Sequence, residues 1–234
     1  MSKFILLSYP VSKKTTFLPR SIGPPKIHAR SRMIPEPEGM GETETRWGSY
    51  NNTSILEMCV HTGTHIDLPF HVDPKGYTLN DFEAGDFIFE NPLLVEIPKG
   101  DLGDVTKADL EKYESELKKA DILLIYTGFS KYRTTEPERY ETKQPGLSVD
   151  AAKYIASFPN IRCVGLDALG IENIGKAKPE FPAHKALLVG RKFFQIEDAN
   201  LEPALGKKLK RVYVIPLWLL GVEAVPVTVI AEVE

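Results

Sequence analysis

The sequence predicts an α/β fold, and three observations carry that prediction. Short apolar runs of strand length alternate with helical patterns along the chain beyond about residue 48. Two of the helical patterns open on good N-cap residues, Thr106 and Ser148. No internal repeat breaks the alternation, and at 234 residues the chain can bury a sizeable core, so residues 1–234 are read as a single domain.

Strands are expected at residues 4–8, 55–60, 93–97, 122–126, 162–166, 212–217 and 225–231, each a short apolar run. Thr106 has Asp109 three residues on, the pattern of a helix start. Ser148 precedes Val149-Asp150-Ala151-Ala152-Lys153-Tyr154-Ile155, whose apolar spacing suits a helix laid on a sheet. A further short helix is expected over 182–188 or over 199–205. Residues 10–48 are rich in proline (Pro19, Pro24, Pro25, Pro35, Pro37) and in charge, with neither helical nor strand periodicity. They are expected to form an extended arm lying over the body or over a neighbouring subunit.

Composition narrows the function classes. The chain is 42% hydrophobic and 26% charged, with a formal net charge of −3, which gives no basic footprint for nucleic acid. The run Lys207-Lys208-Leu209-Lys210-Arg211 is short and leads into an apolar strand, so it reads as a solvated surface. Cys59 and Cys163 sit in apolar runs and are expected as buried thiols in a reducing cytosol. Residues 1–10 carry no signal-peptide cleavage pattern and no apolar run approaches membrane-spanning length, so the expectation is a cytoplasmic protein with no membrane partner.

The chemistry concentrates in His61-Thr62-Gly63-Thr64-His65-Ile66-Asp67-Leu68-Pro69-Phe70-His71, which holds three of the five histidines and a carboxylate. Neutral imidazole and carboxylate oxygen are ligands for a divalent ion such as zinc or manganese, whereas a structural zinc site more often recruits thiolates. In one straight strand His61 and His71 would lie about 33 Å apart, too far for one ion. Gly63 and Pro69 supply bends, and the stretch is expected as a turned loop ahead of a helical turn, since Thr62, Gly63, Thr64 and Ile66 are poor or indifferent helix formers. Downstream, His184 and Glu197 each lie near an apolar run. They could converge on the first cluster as the second half of a dinuclear centre bridged by Asp67, or serve as a surface histidine and an early-turn helix acid.

The eleven-residue run resembles the signature of the metal-dependent cyclase-like hydrolases, the family containing bacterial kynurenine formamidase and isatin hydrolase: His-x-Gly-Thr-His-x-Asp-x-Pro-x-His. Every fixed position is present. The resemblance extends to Gly165-Leu166-Asp167, His184-Lys185-Ala186-Leu187-Leu188, Ile196-Glu197 and Pro226-Val227-Thr228-Val229-Ile230. It implies a swivelling β/β/α fold and a homo-oligomer, dimer or tetramer. It also implies His61, His65 and Asp67 as metal ligands, His71 as the proton-transfer residue, and His184 and Glu197 as partners of a second metal or of the substrate. Zinc, as one or two ions, is the first expectation and manganese the second.

The expected activity is hydrolysis of a small carbonyl substrate by metal-activated water, with an arylformamide such as N-formylkynurenine as the specific candidate. A lactone hydrolase or dehydrating cyclase is the alternative within enzymes, and a non-enzymatic metal- or small-molecule-binding protein is the alternative outside them. Trp47, Phe70 and Phe181 are candidate walls for an aromatic substrate, or core residues. Asp167 is expected either to orient a ligand histidine or to cap the turn that follows it.

Overall fold

The computed structural model describes residues 3–15, 23–33, 50–176 and 180–234. Its strands are β1 (Lys3–Leu6), β2 (Lys26–Met33), β3 (Tyr50–Glu57), β4 (His65–Asp67), β5 (Ile88–Phe89), β6 (Pro92–Glu96), β7 (Asp104–Val105), β8 (Ile122–Tyr126), β9 (Gly146–Leu147), β10 (Cys163–Leu166), β11 (Phe194–Glu197), β12 (Leu209–Pro216) and β13 (Ala224–Val233). The helices are α1 (Lys107–Glu111), α2 (Glu114–Leu117), α3 (Tyr132–Thr135), α4 (Pro137–Thr142), α5 (Val149–Ala156) and α6 (Pro182–Leu188).

Nine strands form one mixed sheet in the order β5-β12-β13-β4-β11-β10-β8-β6, with β1 also paired to β13. The half from β6 to β11 is parallel, and from β11 through β4 to β13, β12 and β5 every pairing is antiparallel. The two halves meet at β4. It pairs with β11 on one side and with residues 224–226 of β13 on the other, and β1 continues along the same edge of β13 at residues 230–233.

Burial explains why the parallel strands read as unbroken apolar runs. In β8, Ile122 and Leu124 face one core, shared with Phe194, Ile196, Val225 and Val229. Leu123 and Ile125 face the other, against Ala151, Ala152 and Ile155 of α5 and Leu187 and Leu188 of α6. A strand covered on both faces needs no polar alternation. Gly165 sits in the middle of β10 because a Cβ there would come 2.9 Å from the Leu124 side chain and 3.2 Å from Ile196.

The expected helix starts are where the caps placed them. Thr106 accepts the Asp109 N–H at 3.3 Å and opens α1, and Ser148 accepts the Ala151 N–H at 3.3 Å and opens α5. Of the two options for a later helix, 182–188 forms α6, whereas 199–205 contains only a one-turn 3-10 helix, Glu202–Ala204. The strand expected at 55–60 ends at Glu57, and the stretch before it extends back to Tyr50.

One expectation is corrected: the arm at 10–48 is not wholly without regular structure. Residues 26–33 form β2, antiparallel to β3 from Lys26 opposite Glu57 to Met33 opposite Tyr50. The pairing comes from a partner strand distant in sequence, which local periodicity cannot register. Among the described residues no helix is long and apolar enough to cross a membrane.

Candidate metal centre

The first half of the centre is built by two bends and a three-residue strand. Gly63 takes φ +69°, a conformation open to glycine, and turns the chain so that the His61 and His65 rings lie 5.0 Å apart between centroids. In β4 the period of two puts His65 and Asp67 on one face and Ile66 in the core. Pro69 then begins a 3-10 turn, Pro69–His71, that brings the His71 ring to 4.8 Å from that of His61. The expected turned loop therefore holds for 61–64, and a short strand and a 3-10 turn replace it from His65 onward.

The second half arrives by pairing. β11 lies antiparallel to β4 with Glu197 opposite His65 and Gln195 opposite Asp67, so both polar side chains share the face of His65 and Asp67. His184 projects from the first turn of α6, and its Nε2 lies 3.3 Å from Glu197 Oε1 and 3.7 Å from Asp67 Oδ2. The convergence of His184 and Glu197 on the first motif is thus realised in the structure, and both are buried.

The donor atoms have the spacing of a coordination polyhedron. Donors at tetrahedral corners, each about 2.0–2.1 Å from zinc, stand about 3.3–3.4 Å from one another. His61 Nδ1 lies 3.2 Å from His65 Nε2 and 3.0 Å from Asp67 Oδ1, and His65 Nε2 lies 3.4 Å from Asp67 Oδ1 and 3.3 Å from Glu197 Oε2. Asp67 Oδ2, Glu197 Oε1 and His184 Nε2 make a second, looser set, with His71 Nε2 at 3.9 Å from Asp67 Oδ2. Each carboxylate offers one oxygen to each set, the arrangement of a bridging ligand.

Hydrogen bonds outside the cluster aim the imidazoles inward. His65 Nδ1 donates to the Gly63 carbonyl at 2.8 Å, and since a carbonyl can only accept, Nε2 is left with a lone pair facing the carboxylates in the neutral ring. His184 Nδ1 donates to Glu172 Oε2 at 2.7 Å with the same result. His61 Nε2 faces Glu223 Oε1 at 3.3 Å, turning Nδ1 inward. Gln195 Nε2 donates to Asp67 Oδ2 at 3.2 Å. Gln195 was recoverable from its i, i+2 relation to Glu197, whereas Glu172 and Glu223 carry no local sequence signal for their contacts.

The electrostatics call for a cation. Burial works against charge at His65, yet the hydrogen bonds and charges of Asp67 and Glu197 hold that imidazole well above its ordinary value. Against the same penalty, Glu172, Glu197 and Asp67 push His184 up to about 10. Burial and Asp67 tend to raise Glu197, but His184 and His65 bring it down to about 2. Asp67 Oδ1 is buried with no hydrogen-bond donor of its own. Two carboxylates and three converging imidazole nitrogens are satisfied either by several bound protons or by a metal ion, and the donor spacing and the orphaned oxygen fit the metal. The triads His61, Asp67, His71 and His65, Asp67, Glu197 each bring their ligand atoms within 4.8 Å.

The remaining expected site residues divide. Phe181 is 41% exposed, and its ring lies 5.4 Å from that of His184 and 6.5 Å from that of His71, so it borders the centre. Phe70 is 38% exposed and among the described residues has no ring contact with the cluster. Trp47 lies outside the described residues. Asp167 accepts the N–H groups of Thr127 and Gly128 at 2.7 and 3.0 Å and the hydroxyls of Thr127 and Ser130 at 2.6 and 3.1 Å. It therefore fastens the turn that follows β8 rather than one after itself. The expectation that it orients a histidine is corrected, because at His184 that contact belongs to Glu172.

Comparison with known proteins places this geometry in a family. The family model described as putative cyclase matches residues 5–173. Kynurenine formamidase of Geobacillus thermodenitrificans (strain NG80-2) is 31% identical over 148 residues, covering 61% of this chain and 65% of that protein. A solved structure described as a potential metal-dependent hydrolase with cyclase activity is 25% identical and superposes with a TM-score of 0.71, covering 100% of this chain and 99% of the other. An isatin hydrolase bound to the product analogue thioisatinate shares the fold at a TM-score of 0.77 and 18% identity, over 99% of this chain and 92% of that one. The match to the family model runs through the whole first half of the centre, and the chain belongs to the putative cyclase family.

Proposed function

We propose that the protein is a metal-dependent hydrolase of a small carbonyl substrate, in the first place an amide of the arylformamide class such as N-formylkynurenine. The observation that carries this reading is the donor set of His61, His65, Asp67 and Glu197, with edges of 3.0–3.4 Å that converge on a buried Asp67 oxygen. The similarity to a kynurenine formamidase supports the amide over other carbonyl compounds. Zinc is the ion we assign, with manganese second, and the paired carboxylate oxygens favour two ions. We also assign the protein to the cytoplasm, as a homodimer or homotetramer.

A bound divalent ion supplies Lewis acidity and lowers the pKa of water toward about 7. The chain's own residues do the rest. The His71 imidazole is partly exposed at the rim of the cluster, its Nε2 3.9 Å from Asp67 Oδ2. Burial, then the neighbouring His61 and His184, draws its imidazole below the ordinary value although Asp67 opposes them, so it is a neutral base at pH 7. It takes a proton as water adds to the amide carbon. It returns that proton to the nitrogen as the C–N bond breaks, leaving an amine and a carboxylic acid that ionises by releasing the second water proton to solvent. Phe181, beside His71 and His184, offers an apolar wall to the aromatic part of the substrate.

The test is elemental analysis of the purified protein, followed by a hydrolysis panel of N-formylkynurenine, simple arylformamides, cyclic amides and lactones with and without chelator. The expected result is amide turnover that chelator abolishes and zinc or manganese restores. Turnover of lactones alone would move the assignment to a lactone hydrolase. Bound metal with no turnover of any carbonyl compound would make this a binding protein.

A further inference from the structure

Asp198, the residue after Glu197, is the most heavily tied residue near the centre, and its backbone is strained. It is fully buried and takes φ +52°, a left-handed conformation that side-chain-bearing residues seldom adopt, Asn and Asp more readily than the rest. Its N–H donates to the Ala168 carbonyl at 2.7 Å and its carbonyl accepts the Thr64 hydroxyl at 2.6 Å. Its carboxylate accepts Arg133 Nε at 2.8 Å, Arg133 Nη2 at 2.6 Å and the Tyr140 hydroxyl at 2.7 Å. The guanidinium in turn lies 3.9 Å from the Tyr9 ring centroid, and the Tyr9 N–H donates to Thr64 Oγ1 at 2.9 Å.

A buried ion pair of this kind contributes little net stability, because desolvation offsets the attraction. Strained residues persist where the surroundings over-determine them, and such places cluster at functional sites. Here the over-determination acts on both halves of the centre. The kink at Asp198 sets where Glu197 leaves β11, and the bond from Thr64 ties the same kink to the residue preceding His65.

We propose that Arg133, Tyr140 and Asp198 are positioning residues that lock the kink after Glu197, and thereby hold Glu197 and His65 at the separation a metal ion requires. The inference rests on the metal reading given above. None of the three touches the donor set directly, and they act through the backbone of Glu197 and through Thr64.

The test uses the full chain loaded with zinc, with affinity read by competition with a chelator, and a parallel cobalt-loaded sample whose visible absorption reports ligand geometry. Asp198→Ala is expected to weaken zinc binding about 10–100-fold, the usual effect of removing a group that orients ligands, and to shift the cobalt bands. Asp198→Asn tolerates the left-handed backbone and keeps an oxygen for Arg133, so it should recover most of the affinity. Arg133→Met and Tyr140→Phe should fall between. Should Asp198→Ala not fold, Tyr140→Phe removes a single hydroxyl and decides the question on the same two readouts.

The proposal is overturned if the folded variants bind zinc as tightly as the unaltered protein. It is also overturned if affinity falls only in step with thermal stability while the cobalt spectrum stays unchanged. An unaltered protein that takes up neither zinc nor cobalt would overturn the metal reading itself, and this proposal with it.

Discussion

Glu172 accepts the Nδ1–H of His184 at 2.7 Å, and its second oxygen accepts the backbone N–H of Ala183 at 2.9 Å. One carboxylate therefore does two jobs. Phe181 at the start of α6 has no side-chain oxygen to cap the helix, and Glu172 supplies the missing acceptor from eleven residues upstream of Ala183. The same group fixes the His184 tautomer so that Nε2 carries its lone pair toward Glu197 and Asp67.

Replacing Glu172 by Gln keeps the size and sets an amide N–H₂ against one of two N–H donors. Whichever way the amide turns, either Ala183 or His184 loses its acceptor. Glu172→Gln is expected to weaken metal binding about 10–100-fold and to lower stability by about 1–2 kcal/mol. Chelator competition and urea unfolding read the two effects separately, and unchanged metal affinity would remove the orienting role.

His71 has a sharper expected signature. His71→Ala should lower kcat about 10²–10⁴-fold, the range for loss of a general acid–base, with metal content unchanged. Because burial draws the His71 imidazole below its ordinary value, its acid limb in kcat/KM should fall below pH 6.5 and vanish in the variant. Loss of metal from His71→Ala would instead make it a ligand, a role that its closeness to His61 and Asp67 permits.

The legible part of this site is the part carried by local spacing. Three histidines and Asp67 in one run mark a candidate metal centre without any knowledge of the fold, and the Gly63 bend that folds them together is readable from glycine's backbone freedom. The strand β4 escaped because three residues, two of them polar, make no apolar run. Glu172 and Glu223 escaped because each reaches its histidine through tertiary contact alone, 12 and 162 positions away. For the fold, the continuous run of β8 and the caps at Thr106 and Ser148 were readable because burial on both faces and N-cap chemistry are local properties. The β2–β3 hairpin depends on a distant partner and left no such trace.

The Thr106 cap gives stability a pH dependence far from the metal. Desolvation tends to raise Asp109, but the Lys99 ammonium and the Thr106 N–H and hydroxyl hold it down to about 2 from an ordinary 3.8. A carboxyl whose folded value is depressed adds stability in full above about pH 4 and loses it as the pH falls toward 2. Asp109→Ala should therefore cost about 1 kcal/mol at pH 6 and almost nothing at pH 2, measured by urea unfolding at the two values. An equal deficit at both would mean that the ionised carboxylate contributes nothing.

Metal removal tests the centre as a folding element. With no ion, Asp67 and Glu197 face each other across His65 inside a buried site, and only protons on the neighbouring imidazoles offset their charge. An ion that binds only the folded chain stabilises it by about 2.7 kcal/mol when its free concentration is a hundred times its dissociation constant. For a chain of this size that corresponds to about 5–10 °C in Tm. Chelator should therefore lower Tm by that amount and returned zinc should restore it. His65→Ala, which deletes a ligand at the shared corner of the donor set, should unfold at one temperature with and without zinc, because it has lost the site the ion would stabilise. A His65→Ala protein that still gains the full zinc-dependent shift would place the ion elsewhere.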